Sequence, residues 1–132
     1  MVRMRVLLLA ICFAAAGLVP AACGAPAATG DSGIEGQVTI GPMCPVERVD
    51  QPCPDKPFQA EVTVESAANG REMLRFTSGA DGRFRVALAP GTYRLVPRSP
   101  QGGALPRAEP LEVSVPQGQY ETVDIRFDSG IR

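Results

Sequence analysis

GADGRFRVALAPGTYRLVP, residues 79–97, carries the clearest strand pattern in this sequence. Two runs within it alternate apolar and polar residues, and a period of two is typical of a half-buried β-strand. The turn dipeptides Asp81-Gly82 and Pro90-Gly91 introduce the two runs. The stretch therefore predicts two strands, each with one apolar face turned to a common core. The apolar positions are Phe84, Val86, Leu88, Tyr93 and Leu95.

The same period recurs along the chain. It is found in residues 34–40, 58–66, 73–78, 111–115 and 120–127, and no segment sustains a helical period. A sheet with one apolar face must cover that face, and short antiparallel strands do so by folding into two packed sheets. We therefore predict an all-β, seven-stranded antiparallel sandwich over residues 33–128, followed by a short C-terminal tail at 129–132.

Between the first two predicted strands lies GPMCPVERVDQPCPDKPF, residues 41–58, which contains five prolines and two cysteines. We predict a disulfide between Cys44 and Cys53 that closes a loop of about ten residues and contributes roughly 2 to 3 kcal/mol. One interpretation is a staple for a small domain whose core has no tryptophan. Another, compatible interpretation is a rigid binding loop. Its candidate residues are Met43, Val46, Glu47, Arg48, Val49 and Asp50.

No metal or cofactor site is predicted. The Cys44–Cys53 spacing does not match a zinc or redox motif, and the chain has no histidine. A calcium site built from Glu47, Asp50 and Asp55 would have no recognised ligand spacing.

The N-terminal segment has the order of a secretory signal: two arginines, an apolar run over residues 6–19, then small residues. Pro20-Ala21-Ala22-Cys23 resembles the lipobox of bacterial lipoproteins, with proline where that family prefers leucine. The resemblance implies a signal peptide at 1–22, a lipid on Cys23 that anchors the protein to the extracytoplasmic face of a bacterial membrane, and a tether at 23–32. The alternative is ordinary secretory cleavage, which would leave Cys23 unmodified.

Residues 79–97, together with 34–40 and 58–64, resemble the carboxypeptidase regulatory-like domain, a prealbumin-like sandwich of exported and surface proteins. The resemblance implies a hairpin turn at Asp81-Gly82, an inward ring for Tyr93, and a non-catalytic accessory role. The loop at 41–58 departs from the short connection usual in that family.

Charge and composition exclude some classes of function. Without Arg3 and Arg5, 11 of the 13 basic residues remain against 14 acidic ones, a net charge of about −3 with no basic stripe for nucleic acid. The absence of histidine removes the usual base of serine and cysteine hydrolases, so we predict no enzyme. We expect an interaction module of the cell envelope that docks an unidentified protein or peptide. The alternative is a small-ligand or glycan binder, for which Tyr120 is the candidate aromatic.

Overall fold

The computed structural model describes residues 30–132, and this part of the chain forms strands and loops. The predicted signal peptide, the lipidation site at Cys23 and most of the predicted tether lie outside the described residues. No helix able to cross a membrane occurs within residues 30–132. The strands are β1 (Gly33–Gly41), β2 (Lys56–Pro57), β3 (Glu61–Ser66), β4 (Glu72–Thr77), β5 (Arg83–Ala87), β6 (Gly91–Pro97), β7 (Leu111–Val115) and β8 (Tyr120–Asp128).

Two four-stranded sheets form the sandwich. In the first sheet β1 is central, because β8 pairs along one of its edges while β5 and then β2 pair along the other. The change of partner occurs at Val38, whose amide donates to Gly82 O at 2.7 Å and whose carbonyl accepts from Phe58 N at 2.9 Å. The second sheet has the order β4-β3-β6-β7.

The all-β fold is confirmed, with two corrections to the predicted strands. Within residues 30–132 there are eight strands rather than seven, because Lys56–Pro57 pairs with Thr39 and Ile40; two residues are too short to show a period. In addition, β1 and β8 pair in parallel, not antiparallel. Both pairings give the same alternation of side chains, so the sequence pattern could not distinguish them.

The core lies between the sheets and is mainly aliphatic. The alternating residues of all seven predicted strands turn inward, and Tyr93 buries its ring while its hydroxyl donates to Ala89 O at 2.7 Å. Thr63 alternates with the inward residues Val62 and Val64 and so lies on the outer face, yet it is fully buried there, and Arg98 Nε donates to Thr63 Oγ1 at 3.1 Å. The largest fully buried side chains are Phe127, Ile34, Leu95, Ile125, Val38, Val62 and Val64.

Opposite ends of the sandwich carry different loops. At the start of β1, Ser32 Oγ donates to Leu88 O at 2.7 Å and the Tyr120 hydroxyl donates to Gly30 O at 2.9 Å, so the N-terminal chain enters at this end. The short turns at 67–70, 88–90 and 116–119 lie here too. The far end of β1 carries the 42–55 loop, the 98–110 loop and the C-terminal residues. Chain entry and the disulfide-bonded loop are therefore separated by the length of β1.

Candidate functional site

The loop at 42–55, hereafter the stapled loop, connects β1 to β2. The predicted disulfide is present: Cys44 and Cys53 are bonded, with their Cα atoms 6.1 Å apart. Five prolines between residues 42 and 57 restrict the same backbone. The loop is thus closed by a covalent bond at its base and stiffened along its length.

The tip of the stapled loop is a tight turn. Gln51 N donates to Arg48 O at 3.1 Å, which places Val49 and Asp50 at the corner. Val49 is as exposed as in an open chain, at 106%, and Val46 is 71% exposed. The tip therefore exposes two apolar side chains, Val46 and Val49, beside its charged ones.

The predicted binding residues do not all share one environment. Val46, Glu47, Arg48, Val49 and Asp50 are exposed, and they form one continuous surface around the turn. Met43 is half-buried at the base of the loop. Among the described residues, neither the two carboxylates nor the guanidinium of the loop tip takes part in an ion pair.

The return limb of the stapled loop is clamped to the first sheet. The Asp55 carboxylate lies against the Arg126 guanidinium of β8 with both oxygens, one of them 3.0 Å from Nη2. This hydrogen-bonded contact lowers the pKa of Asp55 and raises that of Arg126. Gly41 makes room for the carboxylate, because a Cβ there would lie 1.8 Å from Asp55 Oδ1. The ion pair joins positions 71 residues apart.

The outgoing limb is held by the C-terminal residues. Ser129 N donates to Gly41 O at 3.0 Å, and Ser129 Oγ donates to Pro42 O. The preceding Asp128 is bonded by Arg132 and by the Gly130 amide, which together lower its pKa from 3.8 to about 2. Residues 129–132, predicted as a short tail, therefore pack against the base of the stapled loop.

These clamps were not found by sequence reasoning. The sequence offers Asp55 only as a calcium ligand without recognised spacing, whereas in the structure its carboxylate forms an ion pair with Arg126. No cluster of three or more His, Cys, Asp or Glu side chains suited to a metal ion occurs in residues 30–132. The alternation of β8 indicates that Arg126 lies on the outward face of that strand. No sequence spacing, however, links Arg126 to Asp55, which lies 71 residues earlier in the chain.

Tyr120, the candidate aromatic for a glycan, does not present a free ring. The Arg85 guanidinium lies 3.5 Å from the ring centroid, and Glu35 pairs with that guanidinium. The Tyr120 hydroxyl donates a hydrogen bond to Gly30 O. A sugar stacks on an open aromatic face, and this face is already covered.

Comparison with models of protein families and with curated proteins gives no match for this chain. The interpretation of the stapled loop thus depends on the geometry described above.

Proposed function

We propose that this protein is a non-catalytic lipoprotein of the bacterial cell envelope, whose sandwich displays the stapled loop to a protein or peptide partner. The observation that carries the proposal is the full exposure of Val49 at the corner of a loop whose base is fixed on both limbs. The prealbumin-like resemblance is consistent with such an accessory role.

The position of the stapled loop suits display. β1 is nine residues long, so at about 3.3 Å per residue its two ends are about 26 Å apart. The N-terminal chain enters at one end and the loop leaves at the other. If Cys23 carries the lipid, the loop faces away from the membrane that holds the protein.

The rigidity of the stapled loop supports binding as well as stability. Ordering a flexible loop on association costs roughly 0.5 to 1.5 kcal/mol for each immobilised side chain, besides the backbone. The disulfide, the Asp55–Arg126 pair and the Ser129 bonds to Gly41 and Pro42 fix the backbone beforehand. Exposed valines next to unpaired charges then offer an apolar contact with a polar rim, the usual arrangement of a protein interface.

Photo-crosslinking in intact cells tests the proposal. A photoreactive residue at Val49 is compared with one at Ala68, which is also exposed but lies in the turn at the opposite end of the sandwich. We expect a discrete protein adduct from position 49 that is absent from position 68. Equal, diffuse labelling from both positions would reject the stapled loop as a recognition surface.

The anchor is tested separately. Cells grown with a labelled fatty acid should label the wild-type protein and should not label a Cys23→Ser variant, which should also leave the membrane fraction. Labelling that persists in Cys23→Ser, or no labelling of the wild type, would reject lipidation at Cys23 while leaving the loop proposal open.

A further inference from the structure

A second surface of the molecule, away from the stapled loop, is the open side of the sandwich between β7 and β8. Within the described residues β8 pairs only with β1, and β7 pairs only with β6, so each has an unpaired edge on this side. The groove between the two edges is lined by apolar residues from the core margin and by carboxylates. Among them are Leu111, Val113, Val123, Glu112, Glu121 and Asp124.

The hydrogen bonds at the two ends of β8 show which backbone groups are free. Gln119 O accepts from Gly33 N, and Ser129 N donates to Gly41 O, so the odd-numbered residues bond to β1. Asp128, by contrast, exchanges both backbone hydrogen bonds with Arg107 at 2.6 and 3.1 Å, on the side away from β1. Since successive residues of a strand direct their N–H and C=O groups to alternate edges, the even-numbered residues point to the open side. Within residues 30–132, the backbone N–H and C=O groups of Thr122, Asp124 and Arg126 thus have no hydrogen-bond partner.

The Arg107–Asp128 exchange is a single antiparallel rung already formed on this edge. From this rung back to Tyr120, the same edge of β8 forms no further pairing among the described residues. Edge strands are usually protected by proline, charged side chains or a bulge; β8 has no proline, and its charged side chains are Glu121, Asp124, Arg126 and Asp128. By contrast, the edge of β7 is bounded by Pro110 and Pro116.

The negative charge of the groove indicates which kind of peptide would bind there. Glu112, Glu121 and Asp124 line it, no lysine or arginine does, and none of the three carboxylates forms an ion pair within residues 30–132. By the alternation of strand side chains, Asp124 lies on the outer face of the first sheet and Glu112 on the outer face of the second sheet, whereas Glu121 shares the inner face with Val123.

We infer that the free edge of β8 binds an extended peptide segment of another protein by strand addition, and that this segment alternates basic and apolar residues. It would run antiparallel to β8, extend the Arg107–Asp128 rung, and pair with Thr122, Asp124 and Arg126. Its apolar side chains would lie on the inner side, towards Val113 and Val123, while its basic side chains would lie on the outer side, beside Asp124. The groove accommodates about five or six residues, because the 116–119 turn closes it at one end and Arg107 at the other.

The probe is a six-residue peptide of alternating lysine and valine with blocked ends, titrated into the full-length protein in detergent and followed by amide hydrogen exchange and calorimetry. We expect added protection at Thr122, Asp124 and Arg126. An otherwise identical peptide of glutamate and valine should bind about tenfold more weakly at low salt, and the difference should shrink in 0.5 M salt. A lysine–valine peptide N-methylated along one edge should lose binding, since it cannot form the ladder.

Two variants complete the test. Asp124→Lys reverses a charge in the groove and should weaken the binding of the lysine–valine peptide by about fivefold. Glu65→Lys makes the same change of net charge on the outer face of the second sheet and should alter binding by less than about twofold. Equal binding of the acidic and basic peptides, or protection confined to another edge such as β4, would overturn the inference. So would an unchanged affinity in Asp124→Lys, or an equal loss in Glu65→Lys.

Discussion

Removal of the disulfide measures how much of the stapled loop's role is stabilisation. Cys44 and Cys53 are nine positions apart and close a loop of about ten residues. In the chain-entropy description, closure removes about 9 cal/mol/K from the unfolded chain, which corresponds to about 2.7 kcal/mol at 25 °C. Two prolines inside the closed loop, Pro45 and Pro52, already restrict it when unfolded, so the expected loss in Cys44→Ser/Cys53→Ser is about 2 to 2.7 kcal/mol.

The assay is urea unfolding, followed by calorimetry, with Cys23→Ser in both proteins so that no stray thiol interferes. For a folded part of about 100 residues the unfolding entropy near the midpoint is roughly 0.2 kcal/mol/K, so the loss lowers Tm by about 10 to 13 °C. The urea m-value should rise slightly, because the uncrosslinked chain exposes more surface when unfolded. Val49→Ala, a change at the exposed tip of the same loop, should stay within about 0.5 kcal/mol of the parent.

Two results would refute this reasoning. A loss below about 1 kcal/mol would show that the unfolded loop is already so restricted that closure has little effect. A loss above about 5 kcal/mol would mean that the disulfide supports native packing beyond the loop. In that case amide signals of β1 and β8 would shift in the variant, which the entropic account does not predict.

Three further predictions concern the sandwich. Gly82→Ala should destabilise the protein by about 2 kcal/mol or more in urea unfolding, because Gly82 has φ of +76° and a Cβ there would lie 2.2 Å from Val38 O; a loss below about 0.5 kcal/mol would contradict the clash. Phe127→Ala should cost about 3 to 5 kcal/mol by the same assay, since Phe127 is fully buried between the sheets, and a cost under about 1.5 kcal/mol would mean the core collapses around the cavity. The pKa of Asp128 is depressed from 3.8 to about 2, so its contribution to stability is present above pH 3.8 and is lost as the pH falls to 2. In Asp128→Asn the free energy of unfolding should therefore decline less steeply over this pH range. An unchanged decline would exclude the Asp128–Arg132 contact as a source of the pH dependence.

Strands long enough to show a period of two were predictable from the sequence, and the two-residue strand β2 was not. The seven segments with a clear period of two are all strands in the structure, because burial of one face requires that alternation whatever the neighbouring strand is. Lys56–Pro57 was missed, since two residues cannot display a period. The partner of β1 was also unreadable: parallel pairing with β8 arises from packing across about 90 residues of sequence.

For the candidate site, the disulfide was predictable because two cysteines close in sequence that match no metal motif favour a cross-link if the chain is exported. The apolar tip at Val46 and Val49 was readable as composition, but its exposure was not. The Asp55–Arg126 clamp was unpredictable, because an ion pair between outward-facing residues depends only on which strands become neighbours.

The all-β class, the apolar faces and the cross-link of the stapled loop can be read from the sequence, since these depend on local period and on the chemistry of nearby residues. The free edge of β8, the position of Arg85 over Tyr120 and the contact of Ser129 with the stapled loop are visible in the folded structure alone. The physical reason is that strand order and register are set by the packing of the two sheets as a whole. Contacts between distant outward-facing residues follow from that packing and leave no mark in the local pattern of the chain.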